Sequence, residues 1–467
     1  MLYHSTRNPT VQVDLPTVTL AGLASDGGLY VPNGWPAIPV SLAGEALSYQ
    51  DLALAVITPF VGDAIPQAVM QQWIAEAYRD FTSPLVAPLH PLEEDLYVLE
   101  LFHGPTLAFK DYALQLLARA MAWLLEQRGS RLQLIVATSG DTGAAAAAAF
   151  ANRPNIEMTI IYPHERIVPA QRRQMTTVAA TANNLRILAV EGSFDDAQRL
   201  VKQLLLDPAV AARAPVAAVN SINWFRLMAQ MVYYAAACQQ LPGQQPNFVV
   251  PSGNFGNVYA GYALKQGGWP VGRLVAATNH NDALFQLWQD GRSQANQVRP
   301  SLSPAMDILI PSNFERYVAE AYGGDTAGLA DTLAGYQRTG LYQLSGAAHA
   351  RYCQDFTASA VSDAETLATI REIHSRYDYL LDPHSAVAMT AALRLREQLA
   401  DEGGQASSVV SLACAHPAKF PDAIQQALGI PPPSHPLLES QANLPERYQV
   451  VPNDLTLVRQ ILLSDAG

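Results

Sequence analysis

From about residue 95 onward, short apolar runs rich in Val, Ile and Leu recur along the chain, each bounded by small or polar residues and followed by a helical pattern. They are "DLYVLELF" (95–102), "RLQLIVAT" (131–138), "NIEMTIIYP" (155–163), "NLRILAVEG" (184–192), "PNFVVP" (246–251), "GRLVAAT" (272–278) and "SSVVSLACA" (407–415). Near-continuous apolar strands alternating with helices predict an α/β fold with parallel sheets covered on both faces. Several runs end in Gly, Ser, Asn or Asp just before a helix. In open α/β sheets such turns lie at the carboxyl ends of the strands, where ligands bind. The alanine run 144–149 is a strong helix former, and a helix is expected to begin near Ala144.

Residues 1–90 follow a different rhythm, with helical stretches around "YQDLALAVITPFVG" and "PQAVMQQWIAEAYRDF", and are expected to form a separate helical N-terminal region. The stretch 313–380 is also mostly helical and polar and reads as an insertion. No fixed-period repeat is present.

Composition narrows the function. The chain has 467 residues, 49% hydrophobic and 15% charged, which is long enough for two or three domains with real cores. A net charge of -12 argues against a nucleic-acid surface but not against one local basic pocket for a small anion. No basic start with an apolar core opens the chain, and no eighteen apolar residues run together, so neither a secretory signal nor a membrane span is expected. Cys238, Cys353 and Cys414 are widely spaced and odd in number, which suits a reduced, cytoplasmic protein and gives no metal-ligand spacing.

Five stretches carry candidate chemistry. "HGPTLAFKDYA" (103–113) puts Lys110 at the start of a helix, after an apolar run. A helix N-terminus disfavours a cation, and burial against Leu107 and Phe109 would disfavour it further. The amine either snorkels to water or is meant to be neutral and nucleophilic, as in Schiff-base chemistry. "VATSGDTG" ends a strand with Ser139, Gly140, Asp141 and Thr142. Ser139, Asp141 and Thr142 are plain N-capping candidates, and the same loop could receive a substrate carboxylate. "PSGNFGN" places Gly253, Asn254, Phe255, Gly256 and Asn257 between a strand and a helix, a turn fit for phosphate but neither a P-loop nor a GxGxxG fingerprint. In "NSINWFR", Ser221 and Arg226 lie five residues apart, and an arginine there can grip an anion bidentately. A third turn, "LACAHPAKFPDA", carries Cys414 and His416. Pyridoxal phosphate needs a lysine for its aldehyde, a helix N-terminus for its phosphate and a partner for its ring nitrogen, and the chain can supply all three.

These stretches closely resemble the threonine synthases, pyridoxal-phosphate enzymes of the tryptophan-synthase-β fold type (fold type II), in their longer form. Further matches run almost end to end: "STR" (5–7), "GLASDGGLYVP" (22–32), "QRRQMTT" (171–177), "EGSFDDAQ" (191–198), "MDILIPSNFER" (306–316), "LDPHSAVA" (381–388) and "AHPAKFPDA" (415–423). The resemblance implies two parallel-sheet domains: a smaller one over 91–215 with the lysine and carboxylate loop, and a larger one over 216–467 with the phosphate turn and an insertion at about 313–380. It implies pyridoxal 5'-phosphate held by Lys110 and the turn of Gly253, Asn254, Phe255, Gly256 and Asn257. Asp141 would stand near the ring oxygen, and Cys414 at the position facing the ring nitrogen, usually a threonine. Ser139, Gly140 and Thr142 would receive the carboxylate of O-phospho-L-homoserine, and Ser221, Arg226 and Asn254 its phosphate. The implied products are L-threonine and phosphate. The same residues would also serve a phospholyase of this fold that stops at elimination and releases 2-oxobutyrate. No metal is implied, and monomer and homodimer are both open.

Overall fold

Every one of the seven predicted runs forms a strand, and the strands assemble into two separate sheets. The computed structural model describes residues 1–219, 221–294, 297–403 and 407–464. The larger sheet has six strands in the order Thr357–Ala360, Leu274–Thr278, Asn247–Pro251, Val409–Ala413, Leu96–Glu100, Leu89–Pro91. Its pairings are parallel except at the Leu89–Pro91 edge. The second sheet is wholly parallel: Gln449–Pro452, Leu185–Glu191, Ile156–Pro163, Leu132–Ala137, Val216–Ala217. Strands such as Asn247–Pro251 and Val409–Ala413 are buried along their whole length. That is why they lack the polar alternation of a half-exposed strand.

Two helices pack against each other in the core: Lys110–Arg128 and Trp224–Gln240. Both bury residues around nearly their full circumference, as a helix with no solvated face must. The first stops cleanly because Gly129 takes the left-handed conformation (φ 56°) beyond its last turn. Their N-terminal residues lie where strands of both sheets end.

Three sequence expectations need correction. The N-terminal region is not purely helical. A small antiparallel sheet, Gln12–Asp14, Leu2–Ser5, Tyr30–Pro32, joins the helices Tyr49–Val61 and Gln67–Tyr78. Its strands are only three or four residues long, too short for a periodic signal. The stretch 313–380 is more than an insertion, because Thr357–Ala360 pairs with Leu274–Thr278 and completes the larger sheet. The boundary at 215 also fails to separate the two sheets. Leu96–Glu100 precedes it yet lies in the larger sheet, and Gln449–Pro452 follows it yet extends the smaller one. The chain crosses between sheets at both ends, and strand pairing is non-local information that periodicity does not carry. Among the described residues no helix is long and apolar enough to cross a membrane.

Candidate active site

Lys110 does not snorkel. It is the first residue of its helix, 9% exposed, with Nζ 4.5 Å from the centre of the Phe109 ring. Its neighbourhood is fixed by an antiparallel stitch between 107–109 and 414–416. Phe109 N–H donates to the Cys414 carbonyl (2.9 Å) and His416 N–H donates to the Leu107 carbonyl (3.0 Å). Leu107 is held at φ 58°, a strained conformation for a branched residue and of the kind that gathers at functional sites. Burial lowers the pKa of the amine. Asp141, 3.6 Å away, opposes that shift, while Lys419 and Arg226 add to it.

The loop from 138 to 142 ends the strand Leu132–Ala137 and opens the helix Asp141–Phe150, three residues earlier than expected. None of the three predicted caps does the capping. Thr138 does, its hydroxyl accepting from Gly140 N–H (3.0 Å) and Gly143 N–H (2.8 Å). Thr138→Val keeps the shape and orphans both buried donors, so urea unfolding should show a loss of about 1–3 kcal/mol. A loss below about 0.5 kcal/mol would mean that the hydroxyl is dispensable. Gly140 sits at φ 142°, and a Cβ there would meet Gln171 Oε1 at 2.0 Å, so only glycine fits. Ser139 is exposed and Thr142 half-buried on this turn.

The Asp141 carboxylate is engaged rather than free. Its Oδ1 accepts from Lys419 Nζ (2.6 Å) and Gln171 Nε2 (2.8 Å). Burial works against its charge, but Lys419 and Lys110 outweigh burial and hold the carboxyl well below the usual range. Lys419 is wholly buried and also donates to the Thr106 carbonyl (2.8 Å), as does Gln174 (3.1 Å). Thr106 in turn gives its N–H and hydroxyl to Asp111 (2.8 and 2.7 Å), whose carboxyl burial pushes up to about 6.

The turn of Gly253 to Asn257 precedes the helix Gly256–Gln266. Phe255, in the left-handed conformation (φ 62°), forms its N-cap without any side-chain cap, so the first N–H groups are open to an anion. A Cβ on Gly253 would meet the Ala305 carbonyl at 2.4 Å. Asn313 ties this turn to the next candidate: its Nδ2 donates to the carbonyls of Asn254 (3.0 Å) and Ser221 (3.1 Å). Arg316, wholly buried, holds Asn313 Oδ1 and also donates to the carbonyls of Tyr30 (2.9 Å) and Ile222. Asn257 turns the other way. Tyr233 and Tyr234 hydroxyls donate to its Oδ1 (2.5 and 2.9 Å), which directs its Nδ2 onto Cys414 Sγ at 3.8 Å. Burial pushes the Cys414 thiol well up, so it stays protonated.

Arg226, 3% exposed in the first turn of the helix Trp224–Gln240, has Nε and Nη1 without a hydrogen-bond partner among the described residues, and burial draws its pKa down to about 10. A buried guanidinium lacking a counter-ion is costly, and an anion entering the site would offset that cost. Together with a buried amine and an uncapped helix N-terminus, it makes the residues present a fit for pyridoxal phosphate and a phosphorylated substrate.

Sequence reasoning missed Lys419, Gln171, Gln174, Asn313 and Arg316 as site residues, although each lies in a stretch that carried the family resemblance. It also missed His384, which accepts from Ala305 N–H at Nε2 (3.3 Å) and therefore presents Nδ1–H to Asp382 (2.6 Å). Asp382 holds the Ser385 hydroxyl, which accepts from Cys414 N–H (3.1 Å). The signal available was charged or amide residues inside apolar motifs.

Comparison with known proteins identifies the family. Three family models match in series: threonine synthase N terminus over 2–78, pyridoxal-phosphate dependent enzyme over 82–337, and threonine synthase C-terminal over 385–462. A threonine synthase of Pseudomonas aeruginosa is 41% identical, covering 100% of this chain and 99% of its own length. The solved structure of pyridoxal-phosphate-bound threonine synthase from Brucella melitensis superposes with a TM-score of 0.94 at 41% identity, covering 99% of each chain. That of the yeast threonine synthase gives 0.93 at 35% identity over 99% of this chain and 98% of its own. The chain thus belongs, over its whole length, to the threonine synthase family of pyridoxal-phosphate-dependent enzymes.

Proposed function

We propose that the chain converts O-phospho-L-homoserine and water into L-threonine and inorganic phosphate, as a pyridoxal-phosphate-dependent lyase of threonine biosynthesis. Arg226 carries the phosphate half of this reading, because a buried guanidinium with two unpartnered nitrogens needs an anion. When bound, pyridoxal phosphate supplies an electron sink for charge developing at the substrate α carbon. Lys110 binds its aldehyde and, as a neutral amine, takes and returns protons at Nζ. The N–H groups opening the Gly256 helix, with Gly253, Asn254, Phe255 and Asn257 shaping the turn, receive the cofactor phosphate. Cys414, a thiol whose sulfur already faces Asn257 Nδ2, keeps its S–H for the ring nitrogen and leaves that nitrogen without a carboxylate partner. Asp141 would face the ring oxygen of the bound cofactor. Ser139, Gly140 and Thr142 receive the substrate carboxylate, and Ser221, Asn254 and Arg226 its phosphate. We also propose a cytoplasmic setting, where unpaired cysteines such as these three persist.

The test is product analysis with O-phospho-L-homoserine and pyridoxal phosphate. Equal amounts of phosphate and L-threonine are expected. Phosphate with 2-oxobutyrate and no threonine would make the chain a lyase that does not add water.

A further inference from the structure

A carboxylate 3.6 Å from the reactive lysine poses a problem. An anion that close favours the ammonium form, and an ammonium is not a nucleophile. Burial alone need not win, since a buried ion pair in good geometry retains its charges. Lys419 resolves the conflict. Its Nζ lies 2.6 Å from Asp141, a full ångström closer than Lys110, and a second of its three N–H directions is taken by the Thr106 carbonyl at 2.8 Å. It reaches this place from a short turn, Pro417–Lys419, just past Cys414, and is wholly buried.

We propose that Lys419 is a positioning residue: it takes the Asp141 carboxylate as its own counter-ion and so leaves the Lys110 amine unpaired and able to act neutral. The assignment rests on Lys110 being the lysine that binds pyridoxal phosphate. The site then holds a closed Lys419–Asp141 pair with Lys110 beside it, and deprotonating Lys110 strands no charge. The groups that bear on Lys110 come from four elements. Asp141 favours the ammonium, and Cys414 would favour it only as a thiolate, which its raised pKa disfavours. Lys419 and Arg226 oppose it. Asp111 is adjacent in sequence, but its carboxylate is occupied by Thr106. His384 acts on Asp141 and not directly on Lys110. Lys419 is the group among these in direct contact with the anion at 2.6 Å.

The experiment follows the condensation of pyridoxal phosphate with the full-length, cofactor-stripped chain, in which the Lys110 amine adds to the aldehyde and water leaves. The rate is read from the absorption of the lysine-bound cofactor across pH, and its midpoint reports the neutral amine. Lys419→Met should raise that midpoint by about 1–3 pH units, the effect of an unopposed neighbouring anion. Lys419→Arg, which keeps the charge, should hold it within about half a unit of the wild type. An unshifted midpoint in a folded K419M, or an equal shift in K419R, would overturn the proposal. The double variant Asp141→Asn/Lys419→Met leaves no buried partner unpaired and decides the matter if K419M does not fold. Its midpoint should stay near that of the wild type, because the opposed charges of Asp141 and Lys419 are gone together while Arg226 is unchanged. A fall of about one unit or more would show that Lys419 did not offset Asp141, and would equally overturn the role. Lys110→Ala is run alongside: a surviving band there would overturn the assignment of Lys110 itself, not the pairing of Lys419.

Discussion

Lys110→Ala abolishes the absorption band of lysine-bound pyridoxal phosphate and lowers turnover of O-phospho-L-homoserine by about 10²–10⁴-fold or more, the range expected for losing a proton-transferring group. The fold should survive the change. Removing a buried amine usually endangers its partner, since a buried anion left alone costs several kcal/mol. Here Asp141 keeps Lys419 at 2.6 Å and Gln171 at 2.8 Å, so no charge is abandoned. The helix Lys110–Arg128 gains an alanine at its first position, which its propensity tolerates. Arg226 and the Gly256 helix N-terminus remain to bind phosphates, so affinity for the cofactor should weaken without vanishing. Spectrophotometry with added pyridoxal phosphate, followed by phosphate release assays, separates these effects. Retention of the band would mean that another lysine binds the cofactor, and retention of turnover would remove Lys110 from the chemistry.

The sequence was informative where physics is local. Seven strands could be read because a doubly covered parallel strand must be largely apolar, as Asn247–Pro251 and Leu132–Ala137 are apart from Asn247 and Gln133. Lys110 could be singled out because a cation at a helix N-terminus after Leu107 and Phe109 breaks a local rule. What could not be read was non-local. Nothing in "AHPAKF" says that Lys419 turns inward to meet Asp141, nearly 280 residues earlier in the chain. Nothing in "SNFER" says that Arg316 lies buried to hold Asn313 between Ser221 and Asn254. The capping error at 138–142 has the same origin. Ser139, Asp141 and Thr142 all have cap chemistry, but Asp141 is claimed by two lysines and the caps pass to Thr138.

Arg226→Met tests the opposite trade, lower activity with higher stability. In the wild type, Nε and Nη1 are buried without hydrogen-bond partners among the described residues, so the free protein carries a desolvated charge. Methionine is unbranched, apolar and adaptable, and should fill the same space beside the neighbouring core residues of the Trp224 helix. Urea unfolding of the cofactor-free variant should show it more stable than the wild type by about 1–4 kcal/mol, as when buried charged groups give way to apolar ones. Inorganic phosphate should stabilise the wild type by mass action more than the variant, which keeps only the Gly256 helix N-terminus to bind it. Meanwhile kcat/KM for O-phospho-L-homoserine should fall by about 30- to 3,000-fold, the loss of about 2–5 kcal/mol that follows removal of one partner of a buried charged contact. Arg226→Lys retains charge without the planar fork and should fall between the two. A variant that is less stable than the wild type would mean that the guanidinium supports the fold. A variant with unchanged kcat/KM would mean that the substrate phosphate is held elsewhere. The combination of gained stability and lost turnover is the signature of a charge kept at the expense of the fold for the sake of an anionic substrate.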